Sequence, residues 1–123
     1  PHGGEGGLFG REEIEIIAPA IQAAQRQGIH ALGPYAADTI FLRMKPLKLD
    51  AIVSMYHDQG QIALKLLGFD RGVTVNAGLP VTIVTPAHGT AFDIVGKGIA
   101  NPSALRNAIL LAAQMSTQTR ESC

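Results

Sequence analysis

The sequence predicts an α/β fold with a largely parallel sheet, on three observations. Apolar residues recur with a helical period in the stretches after Arg11 and after Asn101. Short apolar runs rich in β-branched residues lie between them, and glycine or proline punctuates nearly every junction. The length of 123 residues suits one domain or a domain piece covering 1–123.

The elements follow in order. Pro1 to Gly10 holds five glycines and reads as irregular. From Arg11 to Gln27, Ile14, Ile17, Ala18, Ile21 and Ala24 form an amphipathic stripe. Glu12 and Glu13 suit its N-terminus, Arg26 its C-terminus, and Gly28 its stop, while Pro19 should kink it or remove a hydrogen bond. Ile29 to Leu32 is a short strand candidate and Ala37 to Leu42 a helical turn. Asp50 to Met55 reads as a buried strand, with four apolar residues in six. Asp58 can cap a helix through Leu67 whose face is Ile62, Ala63, Leu66 and Leu67, ended by Gly68. Gly72–Asn76 and Val81–Thr85 read as two more strands around the turn Ala77-Gly78-Leu79-Pro80, followed by a glycine-studded loop, His88 to Gly98. Asn101 caps a final helix with Pro102 at its first position; Leu105, Ala108, Ile109, Ala112 and Met115 form its stripe. Residues 116–123 read as a frayed tail.

Composition narrows the function classes. The chain is 46% hydrophobic and 16% charged, and ten basic residues balance ten acidic ones, which argues against a disordered tail and a basic nucleic-acid binder. No apolar run reaches the ~20 residues of a membrane span. A single cysteine, Cys123, allows neither a disulfide framework nor a cysteine zinc site. The expected setting is a reducing, cytoplasmic compartment with a small-molecule partner, no nucleic acid and no membrane. Because the chain starts at Pro1 on a loop-like PHGGEGG, it reads as a piece of something larger.

Three segments can carry chemistry. His57 closes DAIVSMY and precedes Asp58-Gln59-Gly60; a strand-end imidazole beside a carboxylate at a helix start suits metal ligation or proton transfer, as well as a plain capping Asp58 with an incidental histidine. Lys65 lies two helical turns on, where a solvated surface lysine is the ordinary alternative. His2 and Glu5 sit in a glycine-rich loop whose amides could cradle an anion. The loop misses GxGxxG because Phe9 stands where glycine is needed, and Gly96-Lys97 lacks the rest of a phosphate-loop motif. The third segment, Pro86 to Pro102, combines His88-Gly89-Thr90 with Asp93 and small residues, letting backbone approach a flat ligand while a carboxylate accepts ribose hydroxyls. His30, among apolar neighbours, reads as a packed or surface histidine.

Together these segments resemble the 4-hydroxythreonine-4-phosphate dehydrogenase (PdxA) family of vitamin B6 synthesis. PHGGEGGLFGREEI resembles its PHAGEGG-x-x-G-x-EEI, with Gly3 for alanine; GPYAADTIF resembles GP-x-x-ADT-x-F; MYHDQGQIALK resembles MYHDQG-x-x-x-LK. HGTAFDIVGKGIANP is similar to HGTA-x-D-x-AG-x-G and to the NAD-binding loop of isopropylmalate dehydrogenases. The resemblance implies a three-layer α/β/α fold of isocitrate/isopropylmalate dehydrogenase type, and oxidation of a secondary alcohol by NAD or NADP with decarboxylation of the β-keto acid. It also implies a divalent metal, zinc first with magnesium or cobalt as alternatives, and a homodimer whose site draws on both protomers. Carried over, His2 and His57 match two of three metal histidines, the third lying outside this chain. Asp38 matches an acidic residue near the metal and Lys65 a substrate-contacting lysine, so that Lys65, Asp38 and Asp58 are the candidate catalytic residues; His88, Gly89, Thr90, Asp93 and Asn101 fall in the cofactor loop.

The departures from the family concern the substrate. Thr74 stands where the founding enzymes have asparagine, Ile83 where they have a substrate-binding arginine, and Ala87 where they have aspartate. Losing the arginine removes a bidentate anion clamp. The expectation is therefore a 4-hydroxythreonine-4-phosphate-like substrate altered at its phosphorylated end, the alternatives being a non-phosphorylated cis-diol carboxylate or a sugar-acid phosphate. A truncated, non-catalytic nucleotide-binding or dimerisation module is the competing reading from another class.

Overall fold

The computed structural model describes Gly3 to Glu121, with side chains through Thr117. Its backbone falls into two compact units, Pro1–Gly60 and Gln61–Cys123.

In the first unit a tight turn over Gly4–Gly7 leads into a π-helical turn, Glu13–Ile17, that runs directly into α1, Ala18–Arg26. The expected effect of Pro19 takes this form. The wider turn, in which the Ala18 amide bonds the Glu13 carbonyl, is complete just before the residue that has no amide to donate. Gly28 ends the helix as its sequence position suggests: at φ 82° its amide bonds the Gln25 carbonyl (3.0 Å), and the Ile29 amide reaches back to the Ala24 carbonyl (3.1 Å), a Schellman closure. Ile17, Ala18, Ile21 and Ala24 are half-buried, whereas Ile14 at the helix start is exposed. The stripe meets the following loop at Gly33, where a Cβ would stand 3.3 Å from the Ile21 side chain. A short helix, α2, covers Ile40–Arg43, and Ile40 is the buried apolar residue of this unit.

Two strand expectations fail here. Ile29 to Leu32 and Asp50 to Met55 run without ladder partners among the described residues, and Val53 is 82% exposed. A strand exists only by pairing, so β-branched composition alone cannot produce one.

α3 spans His57–Gly68, as its sequence boundaries suggest, but its apolar face is turned from the expected one. Ala63 and Leu64 are half-buried, while Ile62, Leu66 and Leu67 face outward. The second unit is built on β1, Val73–Asn76, and β2, Ile83–Pro86, paired Val73↔Pro86, Thr74↔Thr85, Val75↔Val84 and Asn76↔Ile83. The pairing is antiparallel, which corrects the parallel sheet expected from the sequence: the connection through Gly78 is too short for the crossover a parallel pair needs. Gly72 extends the ladder, its carbonyl accepting from the Ala87 amide at 3.1 Å.

α4, Ser103–Glu121, packs on both strands. Asn101 caps it as expected, Oδ1 accepting from the Ser103 amide at 3.0 Å. Two corrections apply. The helix continues through most of the expected frayed tail, and its buried residues are Ala104 and Ala108, with Leu111, Ala112 and Met115 half-buried, while Leu105 and Ile109 face outward. Small residues win the inner face because only they let a helix lie close to a two-stranded ribbon.

That close approach is testable. Ala108→Leu should destabilise the full-length protein by about 1–3 kcal/mol through overpacking, read as a fall in Tm; an unchanged Tm would mean that the helix does not sit tightly on the hairpin.

Candidate active site

The first unit brings together one pair of the expected site residues. α3 begins at His57, with the Gln59 amide bonding the Tyr56 carbonyl at 3.2 Å. Gly60 in the same turn keeps the helix close to Ser54, whose Oγ would be 3.4 Å from an added Cβ. In that first turn His57 Nδ1 lies 2.8 Å from Asp58 Oδ1. A carboxylate only accepts, so the imidazole donates from Nδ1 and leaves the lone pair of Nε2 free to bind a ligand. Both side chains are largely exposed, and the pair orients more than it stabilises. Asp38 lies exposed in the turn entering α2. His2 lies outside the described residues, and among those described no three His, Cys, Asp or Glu side chains form a group able to hold a metal ion.

The loop that follows His2 is left-handed. Gly3, Gly4, Glu5, Gly6 and Gly7 all take positive φ, Glu5 at 43° being the one non-glycine among them. Gly4 is buried, and a Cβ there would collide with the Glu13 carboxylate, tying the loop to the π-helical turn.

In the second unit Lys65 is exposed on α3. Thr74 and Ile83 lie on one face of the hairpin, since Thr74 pairs with Thr85 and Ile83 with Asn76. The opposite face carries Val73, Val75, Val84 and Pro86, of which Val75 is exposed and the other three half-buried, whereas Thr74, Asn76, Ile83 and Thr85 are all exposed. His88 Nδ1 sits 2.9 Å from the Gly89 carbonyl and therefore donates, which leaves the Nε2 lone pair as the ring's acceptor. Thr90 and Asp93 are exposed, and Asp93 falls in a short 3-10 turn, Phe92–Ile94, entered through Ala91 in left-handed conformation (φ 51°). Asn101 gives its side-chain oxygen to the α4 cap.

The left-handed backbone of Glu5 and Ala91 has no signal in the sequence. The period-two spacing of Asn76 from Thr74 is visible there, but its partner across the ladder needs the register.

The family described as pyridoxal phosphate biosynthetic protein PdxA matches residues 1–112. The chain belongs to the PdxA family. A Pseudomonas aeruginosa relative is 62% identical over 117 residues, covering 94% of this chain and 35% of its own length. A Geobacter metallireducens relative named 4-hydroxythreonine-4-phosphate dehydrogenase is 54% identical over 94% of this chain and 34% of its own. Among solved structures, the crystal structure of 4-hydroxythreonine-4-phosphate dehydrogenase from Klebsiella pneumoniae is 49% identical with a TM-score of 0.74, over 91% of this chain and 34% of that one. The α/β content of this PdxA chain agrees with that neighbour, and the chain spans about a third of the length of the relatives it matches.

The PHGGEGG loop gives a paired prediction. Gly4→Ala and Gly6→Ala both place a side chain at positive φ, at about 1–2 kcal/mol, but nothing stands near a Cβ at Gly6. Gly4→Ala should therefore lower Tm of the full-length protein clearly more than Gly6→Ala, and equal shifts would show that the Glu13 contact contributes nothing.

Proposed function

We propose that this chain is part of a dehydrogenase that oxidises a secondary alcohol of a small hydroxy acid, using NAD or NADP and a divalent metal, with loss of the β-keto acid's carboxyl group as carbon dioxide. The observation that carries the reading is the His57–Asp58 pair, set within a family whose relatives are named dehydrogenases.

The residues present fit the metal. An imidazole whose Nδ1 proton is held by a carboxylate is the usual ligand arrangement, because the outer partner fixes tautomer and ring orientation. His57 through Nε2 would be one ligand, with His2 another. The loop from His88 to Asn101 fits a nucleotide: its backbone is opened by left-handed Ala91, Gly96 and Gly98, and it carries Asp93 for ribose hydroxyls. When bound, the ion supplies Lewis acidity at the substrate oxygens and the dinucleotide accepts hydride. The chain's own residues do the rest. Asp58 orients His57, and Asp38 adds negative charge near the metal. The Lys65 ammonium neutralises an anionic oxygen of the substrate or passes a proton. In the complete enzyme we place this segment in a three-layer α/β/α architecture of isocitrate dehydrogenase type. Two copies share each site, and the compartment is the cytoplasm.

One observation favours a substrate other than 4-phosphohydroxythreonine. Thr74 and Ile83 lie on a hairpin face that carries no cationic side chain of its own to clamp a phosphate. A cis-diol carboxylate suits that face better than a sugar-acid phosphate.

Two measurements on the full-length protein test the reading. Chelation should abolish NAD(P) reduction and zinc should restore it; turnover indifferent to chelator would remove the metal from the proposal. Asp58→Asn should weaken zinc affinity about 10–100-fold with the fold intact, measured by competition with a chromogenic chelator.

A further inference from the structure

The turn between α3 and β1 is tied to both ends of the loop that runs from His88 to Asn101. The Gly68 carbonyl, at the end of α3, accepts from two amides, Arg71 at 3.0 Å and Gly72 at 2.9 Å. The Gly72 carbonyl in turn accepts from the Ala87 amide at 3.1 Å, one residue before His88. The pairing Val73↔Pro86 continues through these two residues, and a Cβ on Gly72 would stand 3.4 Å from that of Ala87. Arg71 and His88 therefore flank the last contact of the ladder. The other end of the loop is reached through α4. Asn101 caps that helix, and just past its first turn Asn107 Nδ2 donates to the Arg71 carbonyl at 3.3 Å.

These ties engage the main chain of Arg71 and leave its side chain exposed. The ion pairs among the described residues, Arg11–Glu15 and His57–Asp58, do not use its guanidinium. A residue anchored at both its amide and its carbonyl presents its side chain from a constant point, so less freedom is lost when that side chain takes a ligand. The loop beside it carries Asp93, which can accept from ribose hydroxyls but repels a phosphate, and Lys97 is its one ammonium. A guanidinium meets phosphate oxygens two at a time, which an ammonium cannot do.

We propose that the Arg71 guanidinium holds a phosphate of the bound dinucleotide at the base of the His88–Asn101 loop. The proposal rests on the nucleotide reading of that loop given above, and extends it to a residue outside the loop. Two phosphates offer the same oxygens to the fork: the pyrophosphate common to NAD and NADP, and the 2′-phosphate of NADP alone.

Isothermal titration calorimetry of the full-length protein, without substrate, measures Kd for NAD, NADP and ADP-ribose. Parent, Arg71→Gln, Arg71→Met, Arg71→Lys and Lys97→Gln are compared at low and high salt, with Tm recorded for each. Arg71→Gln should raise Kd about tenfold or more at unchanged Tm, and should flatten the salt dependence of the parent, which a merely structural role would not do. Arg71→Lys should recover part of the affinity. Arg71→Met, which keeps the apolar stem, serves if glutamine lowers Tm. A loss for all three ligands assigns the pyrophosphate, and a loss for NADP alone assigns the 2′-phosphate. A parent that binds while Arg71→Gln and Arg71→Met match it overturns this proposal alone, as does a loss carried by Lys97→Gln in their place. A parent that binds none of the three ligands overturns the nucleotide reading and this proposal with it.

Discussion

The approach of α4 to the β hairpin decides most of what the second unit can do. Two strands form a ribbon with two faces, and such a ribbon is marginal in water unless one face is covered. Ala104 and Ala108 allow a helix to cover it closely, and Asn107 ties the same helix to the start of β1, its Nδ2 donating to the Arg71 carbonyl at 3.3 Å. Once Val73, Val84 and Pro86 are turned to the helix, period-two alternation leaves Thr74, Asn76, Ile83 and Thr85 no alternative to the outside. A one-residue slip of register would exchange the two sets. The position of Thr74 and Ile83 is thus a consequence of two small side chains on a helix distant from them in sequence.

Signals confined to a few residues were legible in the sequence, and signals that need a partner were not. The stop at Gly28, the cap at Asn101, the disturbance at Pro19 and the strands around Gly78 each depend on groups within about one helical turn or one hairpin, and each appears. Strand formation at Ile29–Leu32 and Asp50–Met55 depends on a neighbour that composition does not specify, and there the expectation failed. Helix faces were legible in part. The α1 stripe is half-buried at Ile17, Ala18, Ile21 and Ala24, and the α4 stripe is inward at Ala108, Ala112 and Met115, but α3 and α4 each have more apolar residues than one side buries. Leu66, Leu67, Leu105 and Ile109 are left outward, in a chain about a third as long as its relatives. Exposed apolar side chains of this kind are the sort that a further layer or a second copy covers.

The candidate site divides along the same line. Motifs named its residues, because His57-Asp58 and His88-Gly89-Thr90 are contiguous in sequence, but motifs could not show which atoms are engaged. Both histidines are oriented by the residue that follows them, one through a carboxylate and the other through a main-chain carbonyl. The departures at Thr74 and Ile83 were visible one at a time, and their common face needed the register.

Contacts between adjacent residues orient a side chain without help from distant packing. An imidazole hydrogen-bonded by its neighbour is turned locally, before any ligand arrives. The left-handed backbone at Glu5 and Ala91 fits the same logic. Each costs about 1–2 kcal/mol relative to an ordinary conformation, and each stands in a loop that carries candidate ligands, beside His2 in one case and His88–Thr90 in the other. Strain of that size persists only where neighbouring structure over-determines the loop. At Glu5 the neighbours are glycines and the buried approach of Gly4 to Glu13; at Ala91 they are the 3-10 turn and the glycines that follow it. Orientation is therefore built into short stretches of chain, where it does not depend on long-range packing.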